Sequence, residues 1–152
     1  MRMATAPGTP SELELILPDG WRRPRGYSNG VRVPAGRELL FVAGQIGWDA
    51  SGRLVSSEFP AQFEQALRNC VAVVEAAGGS AGDIVRLTMY CRDRSAYASR
   101  LTEIGAAYRR VMGGHYPSMS LVEVAALVED GAQIEIEATA ALCPAAGGRA
   151  GR

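Results

Sequence analysis

The sequence predicts an α+β fold: one mixed β-sheet with two helices packed on one of its faces. Three observations carry that reading. Segments of alternating polarity come first, then a helical repeat, one alternating segment, a second helical repeat, and two more alternating segments. The chain has 152 residues, enough for one domain with a sizeable core. Its composition, 47% apolar and 21% charged, is that of an ordinary globular protein.

Residues 1–11 read as a flexible N-terminal arm, 12–143 as a single domain, and 144–152 as a flexible tail rich in Gly, Ala and Arg. The alternation in ELELILP predicts a first strand over Glu12 to Leu17. SNGVRVP and ELLFVAGQI read as two strands joined by PAGR into a hairpin. The first helix is predicted from Pro60 to Ala77, because Phe63, Leu67, Cys70, Val71 and Val74 recur at three- and four-residue steps and so share a face. Pro60 suits its first turn and Gly78-Gly79 its stop.

In DIVRLTMYCRD, Val85, Leu87, Met89 and Cys91 point one way, and Arg86, Thr88 and Tyr90 the other. A second helix is predicted over Ser95 to Met112, capped by Asp93 or Ser95 and ended by Gly113-Gly114. Two strands close the fold, Met119 to Ala125 and Gln133 to Leu142. Helices on one side only leave the other side of the sheet partly apolar and uncovered, so an oligomer is expected.

Net charge is zero, which speaks against wholesale electrostatic binding of nucleic acid or anionic membrane. No apolar run approaches the roughly 18 residues that span a bilayer, and MRMATAPGTPSELE lacks a signal-peptide core. A cytoplasmic protein is expected. Cys70, Cys91 and Cys143 are widely spaced, and a single histidine cannot build a His-rich zinc site, so no metal is expected. All 16 basic residues are arginine; without lysine there is no Schiff-base chemistry and no P-loop.

Several residues draw chemical interest. His115, the only histidine, follows a helix stop, where it either acts at a cleft or caps the helix end. Arg22, Arg23 and Arg25 form a basic loop, either solvated or an anion clamp using Arg23 and Arg25. On the last strand Glu135 and Glu137 share a face with Gln133 and Thr139, which is either solvated or lines a subunit interface with a pocket. Trp48 fits a pocket wall or an interface.

Four segments, GYSNGVRV, LLFVAGQIGWD, FEQALRNCVAVVEAAGGSAGDIVRLTMYCRD and YPSMSLVEVAALVEDGAQIEIEATA, together resemble the Rid family, the reactive intermediate deaminases also called the YjgF family. The resemblance runs from Tyr27 to Leu142. It implies a chorismate-mutase-like fold, a homotrimer with a central barrel, ligand clefts between subunits, and cofactor-independent hydrolysis of enamines and imines to a carbonyl compound and ammonia.

By position, the resemblance makes Tyr27 the pocket tyrosine, Gly44 the glycine whose backbone faces the ligand, and Glu135 the glutamate that holds a water. The family's carboxylate-gripping arginine aligns with Met119, and a nearby family cysteine with Leu121. Methionine offers dispersion but no charge. A free carboxylate set beside Met119 would be desolvated and unpaired, at a cost of about several kcal/mol. The expectation is a deaminase-like hydrolase for a larger substrate without a free carboxylate, such as a thioester or ester. Met119, Leu121 and Trp48 would line an apolar pocket. The alternative is a trimer of the same fold that binds a small molecule without catalysis. A ribonuclease activity, reported among relatives, fits a chain of zero net charge less well.

Overall fold

The structure, a computed structural model, describes residues 12–144. The expected arm, residues 1–11, and the expected tail beyond Pro144 lie outside the described residues.

The central sheet contains β3 (Glu38–Gln45), β4 (Ile84–Cys91), β5 (Ser118–Glu123) and β6 (Ile134–Leu142), in the order β3-β6-β4-β5. The β6 strand runs antiparallel to both β3 and β4, while β4 and β5 are parallel. A parallel pair needs a crossover, and the helices between β4 and β5 supply it. Helix α1 (Phe59–Ala76) lies against β3 and β6, and α3 (Leu101–Met112) packs on α1. The mixed sheet with helices on one face is therefore as the alternation predicts.

The core lies between the sheet and α1. All five residues of the predicted helical stripe, Phe63, Leu67, Cys70, Val71 and Val74, are buried. They meet the inward residues Leu87, Met89 and Cys91 of β4 and Ile134, Ile136 and Ala138 of β6. Pro60 sits in the first turn of α1, and Gly78, with φ of +87°, ends it in a conformation other residues rarely adopt.

Two expectations are corrected. The strand β2 (Gly30–Arg32) does not form a hairpin with β3. It pairs with β1 (Glu14–Ile16) in a separate antiparallel ribbon, with an ion pair of 2.9 Å from Arg32 to Glu14. The PAGR turn is present, with Gly36 at φ of +91°. Beyond it Arg37 is drawn inward, donating to Asp83 at 3.0 Å and to the Ala141 carbonyl at 2.8 Å. That anchor commits β3 to β6. The second predicted helix is also two helices, α2 (Arg94–Ser99) and α3, broken at Arg100 (φ −120°, ψ 23°). Asp93 caps α2 through bonds from the Ser95 and Ala96 amides. No glycine or proline marks the break, and the apolar stripe runs through it.

Candidate functional site

The site is built around the free edge of β5. After Tyr116, Pro117 is fully buried and Ser28 lies alongside, in a parallel bridge with Ser118. The Ser28 amide donates to the Pro117 carbonyl at 3.0 Å, and the Ser28 hydroxyl donates to the Tyr116 carbonyl. Tyr116 is held in turn by stacking on Tyr108, with ring centroids 5.0 Å apart and planes at 9°. These contacts clip Tyr27 beside Met119.

Tyr27, Met119 and Leu121 then share a cavity of about 500 Å³ between β5, α3 and the loop after β1. Its floor includes Phe63, Met89 and Ile104. Among the described residues no carboxylate lines it. Burial pushes the phenols of Tyr97 and Tyr108 up, so both stay neutral donors at physiological pH. The cavity suits a largely apolar molecule oriented by a few hydroxyl and guanidinium groups.

Glu135 and Gly44 form a second cluster, on the face of the sheet that the helices leave open. A one-residue shift between Val42 and Gln45 puts a bulge in β3 at Ala43-Gly44. A Cβ on Gly44 would lie 2.7 Å from the carboxyl carbon of Glu135, closer than real atoms approach. Glycine is needed here so that the Glu135 side chain can lie across the strand. No hydrogen bond to the Glu135 carboxylate is formed among the described residues. Glu137, next along that face, accepts from the Tyr90 hydroxyl at 3.1 Å. This bond raises the Tyr90 pKa above its ordinary value.

The cluster near Met119 and the cluster at Glu135 lie on opposite faces of one sheet. Met119 and Leu121 pack toward the helices, whereas Glu135 alternates with the inward residues Ile134 and Ile136. A single chain does not bring them into one pocket.

Comparison with known proteins is decisive on kinship. Residues 22–142 match the family described as Endoribonuclease L-PSP. The chain belongs to that family. Among its relatives is a 2-iminobutanoate/2-iminopropanoate deaminase of Salmonella typhimurium, 38% identical over 75% of this chain and 85% of the relative. A RutC family protein of Pyrococcus horikoshii is 37% identical over 84% of this chain and 96% of the relative. Among solved structures, a Rid-family protein of unknown function from Yersinia pestis superposes with a TM-score of 0.77 at 34% identity. It covers 87% of this chain and all of that one. The YjgF protein of E. coli superposes with a TM-score of 0.59 at 35% identity, over 76% of this chain and 87% of that one. The Rid resemblance seen in the sequence is thus kinship, and the sheet with one-sided helices is the fold of these L-PSP relatives.

In this L-PSP family member only some of the other candidate residues reach the cavity beside Met119. His115 does not line the cavity and bonds through Nε2 to the Ile84 carbonyl at 2.6 Å, tying the end of α3 to β4. Its carbonyl accepts from the Tyr108 hydroxyl at 2.8 Å. Trp48 lies past the end of β3, where its carbonyl accepts from Asn69 at 2.9 Å and its Nε1 donates to Gln45 at 3.4 Å. It does not line the cavity beside Met119. Arg25 lines that cavity, but Arg23 lines a separate hollow with Leu15 and Gly114. Burial pushes the Cys70 thiol up to about 12, so it is no nucleophile; its Sγ donates to the Ile136 carbonyl at 3.3 Å. Arg109 of α3, which sequence reading passed over, does line the cavity. Its only signal along the chain was the four-residue step from Gly105 to Arg109, beside the step from Ile104 to Tyr108 in the apolar stripe.

Among the described residues no group of three or more His, Cys, Asp or Glu is placed to hold a metal ion. No helix among them is long and apolar enough to cross a membrane.

Proposed function

We propose that the protein is an imine or enamine deaminase-like hydrolase. It works in clefts between the subunits of a homotrimer, on substrates larger than simple imino acids and without a free carboxylate beside the reacting carbon. The observation that carries this reading is the Glu135 carboxylate, laid across Gly44 with no protein hydrogen bond among the described residues and so available to a water. Subunit association is supported by the exposed Phe41, Leu39 and Val122 on the same open face. It is also supported by the separation of Met119 from Glu135, which a neighbouring copy would remedy. The related deaminases named for 2-imino acids support the reaction class.

In the reaction, an enamine first tautomerises to the imine. Glu135 orients a water, takes its proton as the oxygen bonds to the imine carbon, and returns a proton to nitrogen. The hydroxyl proton of the resulting carbinolamine then passes by way of Glu135 to the nitrogen as the C–N bond breaks, giving a carbonyl compound and ammonia, with water supplying the oxygen. Backbone amides near Gly44 stabilise charge developing at the reacting centre. Tyr27 and Met119 hold the rest of the substrate; at Met119 a thioester or ester is accepted where a carboxylate would be left unpaired.

The test is ammonia release from matched enamines, free acid against ester. The ester is expected to be the better substrate, and Met119→Arg to reverse the preference by about tenfold or more. Equal rates with and without protein, for acid and ester alike, would sink the proposal.

A further inference from the structure

The cavity beside Met119 has a charge pattern and a backbone feature that imine hydrolysis does not use. Its floor is apolar and buried, with Phe63, Met89 and Ile104. Two arginines line it from exposed positions, Arg25 from the loop after β1 and Arg109 from α3. Neither side chain has a hydrogen-bond or ion-pair partner among the described residues. Their neighbours differ: Arg110 is paired with Glu64 at 2.6 Å and Arg100 with Glu103 and Glu58. With no carboxylate in the lining, the two free guanidinium groups leave the rim purely cationic above an apolar hollow.

The wall of the same hollow holds Gly105, in the interior of α3. A glycine there weakens a helix relative to alanine. Nothing in the packing requires it. A Cβ at this position would meet only Arg109 Nη1, at 3.5 Å, which is ordinary contact with the end of a flexible side chain. Its φ is not positive, so the backbone does not require glycine either. What the missing side chain preserves is open volume, directly beside one of the two free arginines.

We infer that this cavity takes an anionic amphiphile, its acidic group held by Arg25 and Arg109 and its hydrocarbon body laid against Met89, Met119 and Leu121. Guanidinium groups favour carboxylate or phosphate oxygens, and the thioether and aliphatic surface favours an unbranched or aromatic chain. The inference rests on the reading of the Tyr27–Met119 cleft as the ligand site, and it refines the substrate class. The negative charge is kept but is moved along the molecule, separated by hydrocarbon from the carbon that water attacks.

Calorimetric titration of the full chain with octanoate, 1-octanol and acetate tests it. Octanoate is expected to bind, with octanol at least about tenfold weaker and acetate undetected. Replacing both Arg25 and Arg109 by Ala is expected to weaken octanoate binding by about tenfold or more. Gly105→Phe is expected to abolish it while thermal unfolding shows an intact fold, with Gly105→Leu as the smaller filler if phenylalanine disturbs the helix. The inference is overturned if octanol binds as well as octanoate, if the double arginine variant or a folded cavity-filled variant binds unchanged, or if the wild-type chain binds no octanoate. Lost octanoate binding with ammonia release intact removes this inference and leaves the hydrolase. Octanoate binding without ammonia release on any enamine does the reverse.

Discussion

The two faces of the central sheet are made by the same strands and do different work. On the helix side, Leu87, Met89, Ile134 and Ile136 are almost wholly removed from solvent. On the open side, the residues between them are Thr88, Tyr90 and Glu135, and Phe41 is 74% exposed. The inner face is uniform and replaceable in kind, because burial rewards any well-fitted apolar group. The outer face is specific. Its glutamates stand in a strand, where propensity disfavours them, and one of them requires a glycine beneath it. The lesson is that the inner face secures the fold and the outer face is free to serve assembly and chemistry.

Adjacent residues of β6 give the sharpest way to break that contrast. Glu135→Gln is expected to lower ammonia release by about 10²–10⁴-fold, the range for a lost general base, with the unfolding midpoint almost unchanged. Comparable activity in the variant, by ammonia assay, would mean that the outer face does no chemistry. Next door, Ile136→Ala is expected to cost about 2–5 kcal/mol in denaturant unfolding, since the residue is fully buried against the core. A cost below about 0.5 kcal/mol would undo the assignment of the inner face to stability.

Phe41→Glu addresses the outer face as an interface. The chain is expected to elute as a smaller species in size-exclusion chromatography while its circular dichroism stays that of the folded protein; an unchanged elution position counts against association through this face.

The smallest effect lies on neither face. Arg110, and then Arg68, hydrogen-bond Glu64 and hold its carboxyl below the usual range. A depressed folded pKa contributes stability above the unfolded value of 4.5, and that contribution is lost as pH falls through the lower folded value. Both arginines are at least half exposed, so solvent screening keeps the effect below about 1 kcal/mol. In acid titrations of wild type and Glu64→Gln, the difference in stability is expected to vanish below pH 4.5 and not above it.

Much of the fold was legible because its signals are local. The stripe Phe63 to Val74 and the alternation Val85 to Cys91 name their own buried faces. The partner of β2 was not legible, because the PAGR turn signals a bend without saying which strand the chain will meet; Arg37 decides that by reaching Asp83 and Ala141 across the fold. The break at Arg100 left no trace because the apolar stripe continues past it. At the site, family resemblance pointed to Tyr27, Gly44, Met119 and Glu135, and the contact between Gly44 and Glu135 gives one of those positions a steric reason. The hollow beside Gly105 and Arg109 is a matter of space between elements, and no spacing along the chain encodes empty volume.

The clip at Ser28 has a consequence for association of an unwanted kind. Among the described strands β5 pairs only with β4, and a bare last strand is a template on which another chain can continue the sheet into aggregates. Ser28 occupies the Pro117 and Ser118 end of that edge, and Pro117 itself has no amide to offer. The segment that sets Tyr27 in the cleft therefore also closes part of a growing edge. A chain shortened past Asn29 would lose Tyr27 from the cavity wall and uncover a strand end in the same cut.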